Sequence, residues 1–197
     1  MSILHNKFEV RVRLAAIRAN YRLLCGHGSR VNGVIKADAY GHGLCEVAQA
    51  LAQEGCDTFA IGSVEEGAAL RRFLRGAGIT ARILSLLGPV DAEDYALLWE
   101  YEIIPFVGTF RQLETLAGQA ARAGKGLPIS LKFDTGMARL GFVAEDIPRL
   151  VDRLREAPLV RPVMASSHLA TADDPEAVGV VLGQAGLFED MLAALNS

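Results

Sequence analysis

The 197-residue chain has little cysteine, a single tryptophan and no large excess of either charge. Its three cysteines, Cys25, Cys45 and Cys56, fall in no metal-ligand spacing. Their odd number suits a reducing compartment, so neither a disulfide scaffold nor a metal site is expected. Lysine and arginine total 20 against 23 acidic residues, with both signs mixed throughout. No basic stripe interleaves with aromatic residues, so nucleic acid is not an expected partner. Met1 to Arg13 carry polar and charged residues at intervals and no signal-peptide core. No apolar run reads as long enough to span a bilayer, so no membrane partner is expected and the cytoplasm is the default. No Gly-x-Gly-x-x-Gly follows the first strand, which weighs against a dinucleotide fold. Internal repeats, low-complexity segments and interdomain linkers are also missing.

What the chain does have is apolar content. Hydrophobic residues make up 51%, enough for one domain with a large core. Phe8, Val10, Val12 and Leu14 alternate with charged residues and predict a half-buried strand. Leu14, Ile17, Tyr21 and Leu24 then mark a helix face. Short β-branched or apolar runs follow near Arg30–Ala37, Thr58–Ile61, Arg82–Leu87, Ile103–Val107, Pro128–Asp134 and Pro162–His168. Helical patterns separate them, several opening on caps such as Ser63 with Glu66 and Thr109 with Gln112. Strands alternating with helices at this spacing predict βαβ units and a parallel sheet. The count is about six units, where a closed (β/α)8 barrel of the TIM type has about eight in roughly 250 residues. The expected fold is therefore an α/β chain forming an incomplete (β/α)8 barrel, with an open doubly wound sheet as the alternative.

Three stretches carry candidate chemistry. In Val34-Ile35-Lys36-Ala37-Asp38-Ala39-Tyr40-Gly41-His42-Gly43, a lysine ends an apolar strand and enters a two-glycine loop. Strand ends of this kind face the active site in parallel α/β folds. Burial there would favour the neutral amine, which can attack an aldehyde. A strand-end lysine whose head reaches solvent fits the same pattern. In Leu131-Lys132-Phe133-Asp134-Thr135-Gly136-Met137-Ala138-Arg139-Leu140-Gly141-Phe142, alternation puts Lys132 and Asp134 on one face. Arg139 follows on a loop suited to bidentate capture of a carboxylate. A solvated arginine with a surface lysine–aspartate pair is the plainer reading. In Ala165-Ser166-Ser167-His168-Leu169-Ala170, an apolar strand ends near a histidine, which in such a place is more often a hydrogen-bonded structural residue than a catalyst.

Together these stretches closely resemble the bacterial alanine racemases, pyridoxal 5'-phosphate (PLP) enzymes of fold-type III. The order and spacing are compatible over essentially the whole chain. The resemblance implies that Lys36 holds PLP covalently and acts on one face of the substrate Cα, and that Tyr40 hydrogen-bonds the cofactor phosphate. It implies that Arg139 contacts the substrate carboxylate and the phenolic oxygen of PLP. Lys132 matches a lysine that is carbamylated in many members and orients that arginine. His168 matches a histidine that positions the pyridine ring. Asp38 and His42 read as loop structure. Ala138 stands where the family usually has glycine.

The implied function is interconversion of L- and D-alanine, supplying peptidoglycan precursors, with a small amino acid as substrate. A homodimer is implied for the full-length family member. The family's later strands bring an Asn-Ser pair at the phosphate and an arginine at the pyridine nitrogen. A β-rich second domain brings a catalytic tyrosine across the dimer interface. The expectation is thus that residues 1–197 are the amino-terminal PLP-binding barrel portion, truncated and without the carboxyl-terminal β-domain. Such a fragment is expected to be inactive alone. A racemase for another small amino acid such as serine is one alternative. A non-catalytic PLP-binding homeostasis protein is another, although that family's lysine motif lacks the Ala-Tyr-Gly-His-Gly ending.

Overall fold

The structure, a computed structural model, describes residues 9–196. Of the expected opening strand, Phe8 lies outside the described residues, and residues 9–13 form no strand. Val10 is 87% exposed and Val12 is exposed as well, so these two side chains are not packed on a buried surface, and a lone strand without a ladder partner is not stable. Helix α1 (Leu14–Cys25) begins at once. It buries Tyr21 and rests Leu14 and Ile17 on the core, whereas Leu24 faces outward.

The remaining elements alternate as the apolar pattern predicts. They are β1 (Gly33–Val34), α2 (Leu44–Gln53), β2 (Thr58–Ile61), α3 (Val64–Gly76), β3 (Arg82–Ser85) and α4 (Ala92–Glu100). After them come β4 (Ile103–Val107), α5 (Phe110–Ala123), β5 (Leu127–Lys132), α6 (Ile147–Glu156), β6 (Val160–Ser166) and α7 (Val178–Leu195). The six strands form one sheet in sequential order, and every neighbouring pair is parallel.

Alternation along the strands divides two sets of side chains. Phe59, Ile61, Ile83, Ile103, Val107, Ile129 and Leu131 pack under the helices in the large core. Ala60, Leu84 and Ile104 point the other way and gather with Leu86, Phe106 and Met164 in a smaller inner cluster. Because both faces are covered, the strands read as continuous apolar runs. Sequential parallel strands with helices outside and a small inner cluster are the wall of a (β/α) barrel, six units long, as expected. Strands β1 and β6 do not pair with each other among the described residues.

Three local features bear on the site. Strand β1 is shorter than its apolar run, because the chain leaves the sheet after Ile35, whose amide still donates to the Ala60 carbonyl at 2.9 Å. Between β5 and β6 the register shifts: Ile129 sits opposite Pro162, but Ser130 sits opposite Met164. The third feature is α7. Contrary to expectation, Pro175–Leu195 is long and apolar enough, by length and composition, to cross a membrane, with a mean hydropathy of 1.5. In this fold α7 lies against α6 and sets Phe188, Met191 and Leu192 on the core.

Buried Arg71 ties the strand entries together. Its guanidinium donates to the carbonyls of Ala81, Tyr101 and Glu102, just before β3 and β4.

Candidate active site

Lys36 sits one residue past the last β1 ladder bond, at the carboxyl end of the sheet. The chain then makes a left-handed turn. Ala37, Asp38, Ala39 and Tyr40 have φ of 51, 54, 53 and 56°, with similarly positive ψ. Such a run is costly for residues with a Cβ, about 1–2 kcal/mol each. Several bonds hold it. The Ala39 amide donates to Ile35 O at 2.9 Å, and Gly43 N donates to Asp38 O at 3.0 Å. The Asp38 carboxylate accepts from Leu44 N at 2.7 Å and so caps α2, in keeping with its reading as loop structure. His42 Nδ1 lies 2.8 Å from the Ala39 carbonyl, within the same loop.

Glu66 is the clamp that sequence reasoning missed. It reads as the reciprocal half of a capping box with Ser63, and the Ser63 hydroxyl does accept from Glu66 N at 3.3 Å. The carboxylate, however, turns outward from α3. Its two oxygens accept from Ala37 N at 2.9 Å and from Gly62 N at 2.7 Å. It thereby joins the start of the left-handed turn to the loop after β2.

The turn brings Tyr40 close to Lys36, whose ammonium lies 5.9 Å from the phenol ring centroid. Both side chains are exposed at the mouth of the site. The expected burial of Lys36 is therefore not found, because among the described residues its strand lies at an edge of the sheet with no strand paired on its outer side. Burial falls on Lys132 instead. That ammonium is half-buried at the end of β5, with the Phe133 carbonyl at 3.2 Å. Burial pushes its pKa down, Asp134 partly opposes this, and the charge of Arg139 adds to the drop.

Asp134 holds the arginine loop. Its Oδ1 accepts from Gly136 N at 2.9 Å and Ala138 N at 3.0 Å. Burial raises its pKa, but the amides of Gly136, Ala138, Met137 and Arg139 outweigh that and hold it below the usual carboxylate value. The loop returns against its own strand, with Phe142 N donating to Lys132 O and Asp134 N donating to Phe142 O. This approach demands glycine at Gly141, where φ is 133° and a Cβ would lie 2.5 Å from the Asp134 amide nitrogen. Ala138 also has a positive φ of 55°, so alanine here takes on backbone strain that glycine would avoid. Arg139 is exposed, and its guanidinium has no hydrogen-bond or ion-pair partner among the described residues. His168 lies two residues past β6 and is likewise exposed.

The strand ends converge on one cavity of about 700 Å³, whose lining includes all five of Lys36, Tyr40, Lys132, Arg139 and His168. Ala60, Leu84, Phe106 and Met164 give it an apolar floor. Among the described residues three cations line it, and the one lining carboxylate, Asp134, is engaged with the arginine loop. The cavity therefore suits a small anionic ligand with an apolar ring face.

The family model "Alanine racemase, N-terminal domain" matches residues 12–197. An alanine racemase of Nitratidesulfovibrio vulgaris (strain DSM 19637 / Miyazaki F) is 47% identical over the whole chain, which covers 52% of that protein. One from Neisseria meningitidis serogroup A is 38% identical over 169 residues, 85% of this chain and 46% of that protein. The chain thus spans about half the length of the curated relatives it matches. Among solved structures, alanine racemase from Streptomyces coelicolor A3(2) aligns with a TM-score of 0.84 at 31% identity, over 93% of this chain and 49% of that one. Alanine racemase from Bartonella henselae, solved with covalently bound pyridoxal phosphate, aligns with a TM-score of 0.80 at 30% identity, over 92% and 52%.

Proposed function

Because the chain belongs to the alanine racemase N-terminal domain family, we propose that it binds pyridoxal 5'-phosphate through Lys36 and serves the interconversion of L- and D-alanine. The observation that carries this reading is the convergence of Lys36, Tyr40, Lys132, Arg139 and His168, spread over 133 positions of sequence, on one cation-lined cavity. The residues fit the cofactor: the positive lining suits its phosphate, the apolar floor suits its ring, and an accessible amine stands ready for its aldehyde. When bound, this cofactor draws off the electron pair left at Cα after deprotonation.

The chain's own residues have distinct tasks in this reading. Lys36 would hold the cofactor through its amine and, once the substrate's own amine had taken its place, would be free to take or return the proton on one face of Cα. Tyr40 donates to the phosphate. Arg139 captures the substrate carboxylate with its planar fork and would also contact the phenolic oxygen of the cofactor. His168 orients the cofactor ring. Lys132, whose lowered pKa raises its share of neutral amine, is suited to react with carbon dioxide, and the resulting carbamate would pair with Arg139. The same reading carries a cytoplasmic location, supply of D-alanine for peptidoglycan, and a homodimeric whole protein; family membership is its support. The relatives reported above bear the name alanine racemase. That favours alanine over serine and an enzyme over a homeostasis protein.

The test is chemical. The chain is incubated with PLP, reduced with borohydride, digested and mapped by mass spectrometry. A phosphopyridoxyl group on Lys36, absent from Lys36→Ala, is expected. Label spread over other lysines with Lys36 unmodified would overturn the reading.

A further inference from the structure

We propose that Gln184 is a positioning residue that locks the Arg139 loop and the His168 segment into one arrangement, an inference that rests on the functional reading above. Gln184 is the buried polar residue of the apolar helix α7, only 5% exposed. Its side-chain oxygen accepts from Ala170 N at 2.9 Å. Its side-chain nitrogen donates to His168 O at 3.2 Å and to Thr135 Oγ1 at 3.3 Å. Thr135, itself 4% exposed, lies 2.7 Å from Ser167 Oγ, and Ser167 donates to Phe133 O at 3.0 Å.

These distances define one direction of hydrogen bonding. Ser167 spends its proton on a carbonyl, so Thr135 donates to Ser167 and is left to accept from Gln184. Each hydroxyl proton is used once, and both amide protons of Gln184 have acceptors. A carboxylate could not replace the amide, having no proton to give. The chain of bonds starts on α7, passes through Thr135 four residues before Arg139, and reaches Ser167 beside His168. A second branch fixes the His168 carbonyl itself. Arg139 and His168 are exposed at their tips, so their aim depends on the backbone beneath them. Asp134 orders the arginine loop internally, whereas Gln184 ties that loop to the neighbouring strand end.

The experiment measures the apparent affinity of the purified chain for PLP by borohydride trapping on Lys36. Gln184→Met keeps the length and loses all three bonds. It should weaken PLP about tenfold, the size of one lost buried hydrogen bond. Amide exchange in residues 135–139 and 168–170 should also quicken without ligand. In an Arg139→Ala/His168→Ala background the same substitution should cost no more than about twofold, because the groups it aims are gone. Thr135→Val should behave as Gln184→Met does, Thr135→Ser should restore affinity, and this pair carries the test if Gln184→Met does not fold. A tenfold loss that persists in the double background would show a purely structural role and overturn the inference. Wild-type affinity in Gln184→Met and Thr135→Val would overturn it too. If Lys36 is not labelled in the wild type, or removing Arg139 and His168 changes nothing, the functional reading itself fails and takes this inference with it.

Discussion

Substituting Glu66 by alanine tests how the left-handed turn is held. The four residues Ala37–Tyr40 together store about 4–8 kcal/mol relative to ordinary backbone. Two bonds to the Glu66 carboxylate oppose this, at Ala37 N and Gly62 N. Hydrogen bonds to a charged group contribute about 1.5–3 kcal/mol each. Glu66 is only half-buried, so the lower end applies, and the pair stabilises the turn by about 2–3 kcal/mol. Glu66→Ala should therefore quicken amide exchange in residues 37–43 by about 30- to 150-fold. The Ser63 cap on α3 stays in place. Adding Ala37→Gly should recover part of the loss. Glycine removes about 1–2 kcal/mol of strain at that φ and returns about 0.4–1 through the flexibility of the unfolded chain. The net recovery of about 0.6–1 kcal/mol is about three- to fivefold, and Ala37 is exposed, so no packing is lost. Hydrogen exchange followed by mass spectrometry reads both effects. Unchanged exchange in Glu66→Ala, or still faster exchange on adding Ala37→Gly, would refute the reasoning.

Other expectations concern the two titrating groups beside Arg139. Lys132 has a pKa below its unfolded value, so its charge burdens the fold at pH values below the folded pKa, and the burden lifts as pH rises toward 10.5. Lys132→Met should accordingly raise the melting temperature at neutral pH by about 2–4 °C, equivalent to ~1 kcal/mol or less. The difference should shrink near pH 10, and a lowered melting temperature at neutral pH would contradict it. Asp134 has the opposite linkage. Its folded pKa lies below the ordinary 3.8, so its contribution is present above that value and lost as pH falls through the folded one. Exchange in residues 135–139 should quicken below about pH 4 in the wild type, and Asp134→Asn should be fast and insensitive to pH across that range.

Much of the barrel wall was legible because period and punctuation agree there. Thr58–Ile61 and Ile103–Val107 have the bounds their apolar runs predict, and Ser63 and Thr109 cap as their spacing implies. The convergence of the candidate residues was legible for the same reason: parallel strands collect their carboxyl ends. The left-handed turn was not legible. Ala-Asp-Ala-Tyr contains no glycine to announce positive φ, and the conformation is imposed by partners distant in sequence. Glu66 and Gln184 were hidden differently. Glu66 satisfies a local rule that explains its presence without revealing where the carboxylate goes, and Gln184 sits within a helix whose apolar pattern draws attention away from it. The exposure of Lys36 depends on which strand has a neighbour, which local sequence does not encode.

The offset between β5 and β6 works as a parity switch. Counting from Ile129 opposite Pro162, an unbroken ladder would set Ser130 against Val163 and Lys132 against Ala165. One additional residue on β6 places Met164 and Ser166 in those positions instead. Along a strand, odd and even positions face opposite ways. The added residue thus delivers Met164 to the inner cluster and Ser166 to the rung beside Lys132. Straightening this bulge at constant length would invert that phase, sending Met164 and Ser166 toward the helices, whereas deleting one residue within Arg161–Val163 would remove the bulge and leave both facing inward. Point substitutions here change one side chain; a frame change of one residue exchanges the whole inward set for the outward one.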